Sequence, residues 1–358
     1  MAREIGRRLR SWEGLLLVCL LAVLVYNITQ VSNFLTVVNQ VNLFQLGIEK
    51  AIVGLVMAFV IVSGEIDLSV ASMMGLSAAI TAHLFERGVA MPLALLAALA
   101  VGALFGLLNG YFVAVLGVSS LAVTLAGYVG YRGLAELLVQ DRSVGGFPHW
   151  FTHLGQHGLI GRAPFAVILF FVLAAIAIVV LHFSGLGRLT YAIGSSAPAA
   201  RYSGVSVART KMTIFMMSGF ISALAGALLA ARYGAVRAST GQGAELDIIT
   251  VVLLGGVSIF GGVGSMVGVL LSTYLVLNLR NGLVIAGITG NTQTGIIGLL
   301  LILSVLLPNL AGRVRESLRR RQTDSSVRSP PDGPADPARA QATPGQPSPG
   351  SVVRGQMR

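Results

Sequence analysis

Ser63-Gly64-Glu65-Ile66-Asp67-Leu68-Ser69 places two carboxylates inside an apolar stretch that runs from Ala51 to Leu84. Charge is costly in hydrocarbon and is retained there only for a task or with a partner. Three roles are open to Glu65 and Asp67. They touch a solute, they hold a broken helix, or they seat a neighbouring subunit. A carboxylate that accepts backbone N–H groups at a helix start suits the second role, with Asp67 capping the helix that begins after Leu68-Ser69.

Composition decides which solvent the chain meets. Of 358 residues, 54% are hydrophobic and 11% are charged, with a mean hydropathy of +0.80. A soluble domain carries about 25% charged residues, so this chain has too little charge to cover a water-facing surface. Several apolar runs reach the roughly 20 residues that cross a bilayer. The expected fold is an all-α polytopic membrane protein of about ten transmembrane helices. The spans fall near residues 12–28, 46–62, 68–85, 92–116, 121–139, 165–183, 212–231, 249–260, 265–279 and 294–307. The third, eighth and ninth are short and Gly-rich, and are read as broken or re-entrant helices. Gly102, Gly106 and Gly110 in the fourth recur every four residues, one helix face on which another backbone packs closely.

The net charge of +11 flanks the spans. Arg3, Arg7, Arg8 and Arg10 precede the first, and Arg313, Arg315, Arg319, Arg320 and Arg321 follow the last. The positive-inside rule accounts for this better than nucleic acid does and places both termini in the cytoplasm. Residues 1–11 are then a basic cytoplasmic N-terminus and 12–310 the membrane domain. Residues 311–358 hold seven of the 12 prolines, all between Pro330 and Pro349, and are expected to be a disordered cytoplasmic tail. Met1 to Tyr26 has a basic start and an apolar core but no small-residue cleavage signal, so it reads as an uncleaved first span. Cys19, the only cysteine, has no partner for an internal disulfide.

Residues 184–211 carry Arg188, Arg201, Arg209 and Lys211 with no acid. Charge and span parity both make this loop cytoplasmic. Within it, Ala197-Pro198-Ala199-Ala200-Arg201-Tyr202-Ser203-Gly204 has Pro near the start and Gly at the end of a short helix. A docking element for a partner and a plain interfacial connector both fit.

Several chemistries drop out. The only lysines are Lys50 and Lys211, and neither closes a phosphate-binding loop. The glycines from Gly255 to Gly268 make no dinucleotide fingerprint. His149, His153 and His157 have helical spacing, but Gly155 and Gly158 interrupt them and no acid or Cys is near, so they read as solvated loop residues rather than metal ligands. No nucleophile–base pair is present, so an enzyme is disfavoured. Arg132 and Glu136 are four apart in an apolar span. They neutralise each other as a helical pair or line a polar pathway. Glu65-Ile66-Asp67-Leu68 is echoed by Glu245-Leu246-Asp247-Ile248, and Asn109-Gly110 by Asn281-Gly282. Halves of five spans each would have opposite topology. That is a 5+5 inverted repeat, with its acidic motifs toward opposite membrane faces and the solute path near the pseudo-twofold interface.

Together these residues resemble the permease subunits of bacterial ABC importers for monosaccharides, the ribose, rhamnose and autoinducer-2 group. The resemblance covers about residues 45–310. It is carried by Gly64-Glu65-Ile66-Asp67-Leu68-Ser69, Tyr131-Arg132-Gly133, Gly187-Arg188-Leu189-Thr190-Tyr191-Ala192-Ile193-Gly194 and Ala199-Ala200-Arg201-Tyr202-Ser203-Gly204-Val205. Gly241-Gln242-Gly243-Ala244-Glu245-Leu246-Asp247, Leu254-Gly255-Gly256-Val257-Ser258-Ile259-Phe260-Gly261-Gly262 and Asn281-Gly282-Leu283 complete it. Ser63-Gly64-Glu65 departs from the Gly-Gly that many relatives have before Ile-Asp-Leu-Ser. The 140–148 loop leans toward the rhamnose type.

The resemblance implies a pore subunit in the bacterial inner membrane, paired with a second permease copy or paralogue. An extracytoplasmic binding protein would deliver the sugar. A separate ABC ATPase would dock on the 184–211 loop and use ATP and Mg there, none bound by this chain. The residues expected to line the pathway or hold the broken helices are Glu65, Asp67, Arg132, Glu136, Glu245, Asp247 and Asn281. The alternative is a secondary transporter or channel for a small polar solute, with Asp67 as its coupling carboxylate.

Overall fold

The computed structural model describes residues 2–31, 34–140, 142–160 and 163–290, with 292, 293, 295, 296, 298, 299 and 302 beyond; residues 2–11, 158–160 and 163 are described by backbone alone. The expected tail and most of the tenth span lie outside the described residues.

The chain is mostly helical. The helices are α1 (Ala2–Gln30), α2 (Val37–Gln45), α3 (Ile48–Val62), α4 (Val70–Glu86), α5 (Met91–Ala114), α6 (Ser120–Val139), α7 (His149–Gln156), α8 (Phe165–Phe183), α9 (Gly185–Ser195), α10 (Ala197–Tyr202), α11 (Val207–Tyr233), α12 (Ala244–Leu254) and α13 (Met266–Ile285). Short strands β1 (Val144–Gly145) and β4 (Ala235–Val236) pair antiparallel, as do β2 (Gly158–Ile160) and β3 (Ala163–Pro164). Five helices among the described residues are long and apolar enough to cross a membrane: Trp12–Gln30, α5, α8, α11 and α13. A sixth span is available if α2 and α3, bent by 52° at Leu46-Gly47, count as one.

The expected boundaries fail in instructive places. The short eighth span is the 11-residue α12, and the third is the 17-residue α4. The ninth is not broken. α13 runs for 20 residues straight through Arg280-Asn281-Gly282. Arg280 need not end the helix because its guanidinium reaches Asp247 at 3.1 Å. Asn281 exchanges two amide hydrogen bonds with Asn39, each 3.0 Å. Residues 37–45, between the first two expected spans, form α2 with Thr36 as its cap. Likewise His149 to Gln156 is a helix despite Gly155, because Gly155 lets α7 lie on the α11 backbone. A Cβ there would come within 2.6 Å of the Arg232 Cα.

α3 is the centre. Every residue in it except Lys50 is buried, as expected of a helix that is apolar all round. α11 runs antiparallel to it, with Glu49 near Arg232 at one end and Glu65 near Lys211 at the other. α5 lies along α11 at backbone distance. A Cβ at Gly102 would lie 2.7 Å from the Gly219 oxygen, at Gly106 3.1 Å from the Gly219 Cα, and at Gly110 2.8 Å from the Met212 Cα. Lipid tails are as apolar as these side chains, so close van der Waals contact between small residues, not expulsion of water, holds such a pair. Exposed Leu, Val and Phe side chains stud α1, α5, α6 and α8. α1 is tied to its neighbours by Trp12 Nε1 donating to the Leu254 carbonyl at 2.9 Å and Asn27 to the Asn278 carbonyl at 2.9 Å.

Candidate functional site

The opening motif is a sharp reversal. α3 ends at Val62, and Gly64 turns the chain with φ +82°, a conformation that favours glycine. Glu65 is then free to meet Lys211, and the chain heads back as α4. Ser69, not Asp67, stands at the cap position of α4. Asp67 works from two residues earlier. Its carboxylate accepts the Ser69 N–H at 2.9 Å, the Ser69 hydroxyl at 2.6 Å and the Ser218 hydroxyl at 2.8 Å. Asn109 donates to Ser69 Oγ at 3.1 Å and accepts from the Tyr131 hydroxyl at 2.8 Å. One buried carboxylate thus organises α4, α5, α6 and α11, with no counter-charge in contact among the described residues.

Three backbone segments meet at the end of α3. The Gly262 N–H donates to the Val62 carbonyl at 2.8 Å. A Cβ at Gly194 would lie 2.5 Å from the Gly262 nitrogen, and one at Gly261 2.7 Å from the Gly64 Cα. The Tyr191 hydroxyl donates to the Gly264 carbonyl at 2.8 Å. Burial pushes this phenol up to about 12, so it remains a neutral donor at physiological pH. From this junction projects α10. Ser196 Oγ accepts the Ala199 N–H at 3.3 Å, Pro198 sits in the first turn, and Gly204 ends the segment at φ +82°. Ala200 packs with Ile193 and Val207, whereas Arg201, Ser203 and Gly204 are exposed and Tyr202 is 94% exposed.

The other end of α3 carries a second polar cluster. Glu49 pairs with Arg232 at 2.8 Å, and Asp247 accepts both Lys50 at 2.5 Å and Arg280 at 3.1 Å. Glu65 and Asp247 therefore lie at opposite ends of α3. The cluster borders a cavity of about 540 Å³ lined in part by Glu49, Lys50, Arg232, Arg237, Thr240 and Gln242. Arg132 does not pair with Glu136, which is exposed. It donates instead to the Ala238 and Thr240 carbonyls at 2.6 and 3.0 Å. Glu245 is buried in the first turn of α12. His149 and His153 on α7 and His157 just after it line up, with successive ring centroids 5.8 and 4.6 Å apart, and only the second pair is stacked.

Lys50, Lys211, Glu49, Arg232, Asn39 and Ser218 were not expected in these roles. The scarcity of lysine was the available signal. The only two in an apolar chain need partners, and the two acidic motifs supply them.

No solved structure is similar to the chain at a significant level. The curated relatives are informative. The chain is 36% identical over 261 residues to the Salmonella typhimurium autoinducer 2 import system permease protein LsrD, covering 71% of this chain and 78% of that protein. It is 36% identical over 279 residues to the Escherichia coli protein of the same name, covering 75% and 84%. The family model described as the permease component of the branched-chain amino acid transport system matches residues 39–305. With several membrane-length helices around a buried α3, the chain belongs to this family of multi-pass membrane transport permeases.

Proposed function

We propose that the chain is the pore subunit of an ATP-driven importer in the bacterial inner membrane, passing a monosaccharide or similar small polyol by alternating access. The solute is of the rhamnose, ribose or autoinducer-2 kind, and the relatives' names support the last of these. The observation that carries the reading is α10, a capped helix that offers Tyr202 and Arg201 outward while its base is fastened to the junction of Gly64, Gly194 and Gly262. Force applied to such a helix reaches the broken end of α3 through backbone contacts. An ABC ATPase is the partner that would apply it, bringing its own ATP and Mg. A second permease copy or paralogue completes the pore, a binding protein feeds it, and both termini are cytoplasmic.

An inverted repeat fits this mechanism. α4 leaves the Glu65 end of α3 and α5 returns to it with Asn109. α12 leaves the opposite end and α13 returns there with Asn281.

The test is co-purification. The chain should bring down its ATPase, and solute should stimulate ATP hydrolysis only in the assembled complex. Tyr202→Asp or Gly204→Val should lose the ATPase while the chain still inserts. Solute movement by the purified chain alone, driven by a proton gradient, would refute the proposal.

A further inference from the structure

Several buried charged side chains retain a polar atom without a hydrogen bond among the described residues, and two of them have no ion pair either. The atoms of these two are Nη2 of Arg132 and Oε2 of Glu245, and both are shut away from solvent. Glu245 as a whole is only 9% exposed. Arg132 reaches the Thr240 carbonyl, five residues before Glu245, yet the two side chains do not close into a hydrogen-bonded pair. Each is held where it is. Arg132 Nη1 is fixed on the carbonyls of Ala238 and Thr240, and a Cβ at Gly75 would press on the same nitrogen at 2.8 Å. Glu245 is fixed in the first turn of α12, where the helix dipole favours a carboxylate.

A buried donor or acceptor without a partner is expensive, so the question is what would satisfy this pair. The missing group must accept from a guanidinium and donate to a carboxylate. A hydroxyl does both, whereas a carboxylate or phosphate only accepts and an ammonium only donates. Two hydroxyls on neighbouring carbons extend the match to the remaining lone pairs. Thr240, Gly241, Gln242 and Ala244 line the 540 Å³ cavity, in the segment that joins the Thr240 carbonyl held by Arg132 to Glu245. The segment contains Gly241 and Gly243, each at φ +78°, so this wall is built on two glycine pivots.

We propose that Arg132 and Glu245 form a subsite for the vicinal diol of a neutral polyhydroxylated solute, reached from the cavity when the Thr240–Ala244 wall moves aside. The proposal rests on the importer reading above and names where in the chain the solute is held.

The test uses the full-length chain in lipid nanodiscs, with D-ribose, cis-1,2-cyclopentanediol and cyclopentanol as probes and saturation-transfer NMR as readout. The wild-type chain should bind the first two and discriminate against cyclopentanol. Glu245→Gln and Arg132→Lys should each weaken ribose binding about tenfold or more, the loss of one charged hydrogen bond. Both should erase the diol preference, and Glu245→Gln should do so with the unfolding temperature in the absence of probe unchanged. Should Glu245→Gln fail to fold, Arg132→Lys, which keeps the charge, carries the test. Unchanged ribose binding in the variants overturns the proposal and leaves a trapped water as the bridging group. Equal binding of the diol and the mono-alcohol, or no ribose binding by the wild type, also overturns it. Uptake by cells expressing the whole importer separates the two readings. ATP-dependent uptake with negative nanodisc results removes only the subsite. Absent uptake with diol binding intact removes only the importer.

Discussion

Lys211 and Glu65 are ion-paired across 146 positions of sequence, just beyond the end of α3, with side chains only 14% and 13% exposed. Lys50 pairs with Asp247 across 197 positions. These are the only lysines in the chain. Removing one partner of a buried pair strands the other charge and costs about 3–5 kcal/mol. Lys211→Ala is expected to destabilise the folded chain by about 3 kcal/mol. The double change Lys211→Gln with Glu65→Gln should cost clearly less than the sum of the single changes, because neither charge is left alone. Thermal unfolding in detergent, run as a double-mutant cycle, measures the coupling. Additive losses would show that the pair contributes nothing.

The glycine ladder between α5 and α11 predicts a steep size dependence. Gly106→Leu forces side-chain atoms into the Gly219 backbone and is expected to cost about 3 kcal/mol or to prevent folding. Gly14→Leu on α1 meets nothing within 4 Å and should be neutral. Abundance in the membrane fraction and unfolding temperature compare them. Equal behaviour would mean that α5 and α11 do not pack this way.

Asp67 separates two kinds of transporter. It accepts three hydrogen bonds from Ser69 and Ser218. Asp67→Asn replaces an acceptor by a donor against a hydroxyl and should cost about 1–3 kcal/mol. If its role is to hold the helix break, uptake by both wild type and variant should persist when a protonophore collapses the gradient, provided ATP is present. Gradient-dependent uptake by the wild type that Asp67→Asn abolishes would instead establish ion coupling.

Asn39 and Asn281 satisfy each other across α2 and α13. Asn281→Leu leaves the Asn39 amide without this partner and should lose about 1–3 kcal/mol. Adding Asn39→Leu should recover part of it, since replacing both polar partners is cheaper than orphaning one. Chemical denaturation of the two variants decides. A double variant weaker than the single one would contradict the pairing.

Much of this was legible because a membrane simplifies the code. The helical class follows from hydropathy. Pro198 and Gly204 bracket α10, and a four-residue glycine spacing marks the face on which α5 meets α11. What failed was the placing of ends. Arg280 looks like a terminator in one dimension and lies within α13 because Asp247, 33 positions earlier, neutralises it. Gly155 looks like a helix breaker and is instead the point of contact with α11. Arg132 and Glu136 have the spacing of a pair, yet Arg132 turns to loop carbonyls more than 100 positions away, which no local pattern foretells.

The ion pairs at the two ends of α3 have a mechanical consequence. α3 has 15 residues, a length of about 22 Å, and it is riveted to α11 at one end by Glu49–Arg232 and at the other by Glu65–Lys211. Two antiparallel rods fastened at both ends can tilt together but cannot slide past one another. The pair is therefore a lever rather than a piston. A push at the start of α11 would be carried along its whole length without loss of registry, to the ion pair at the far end.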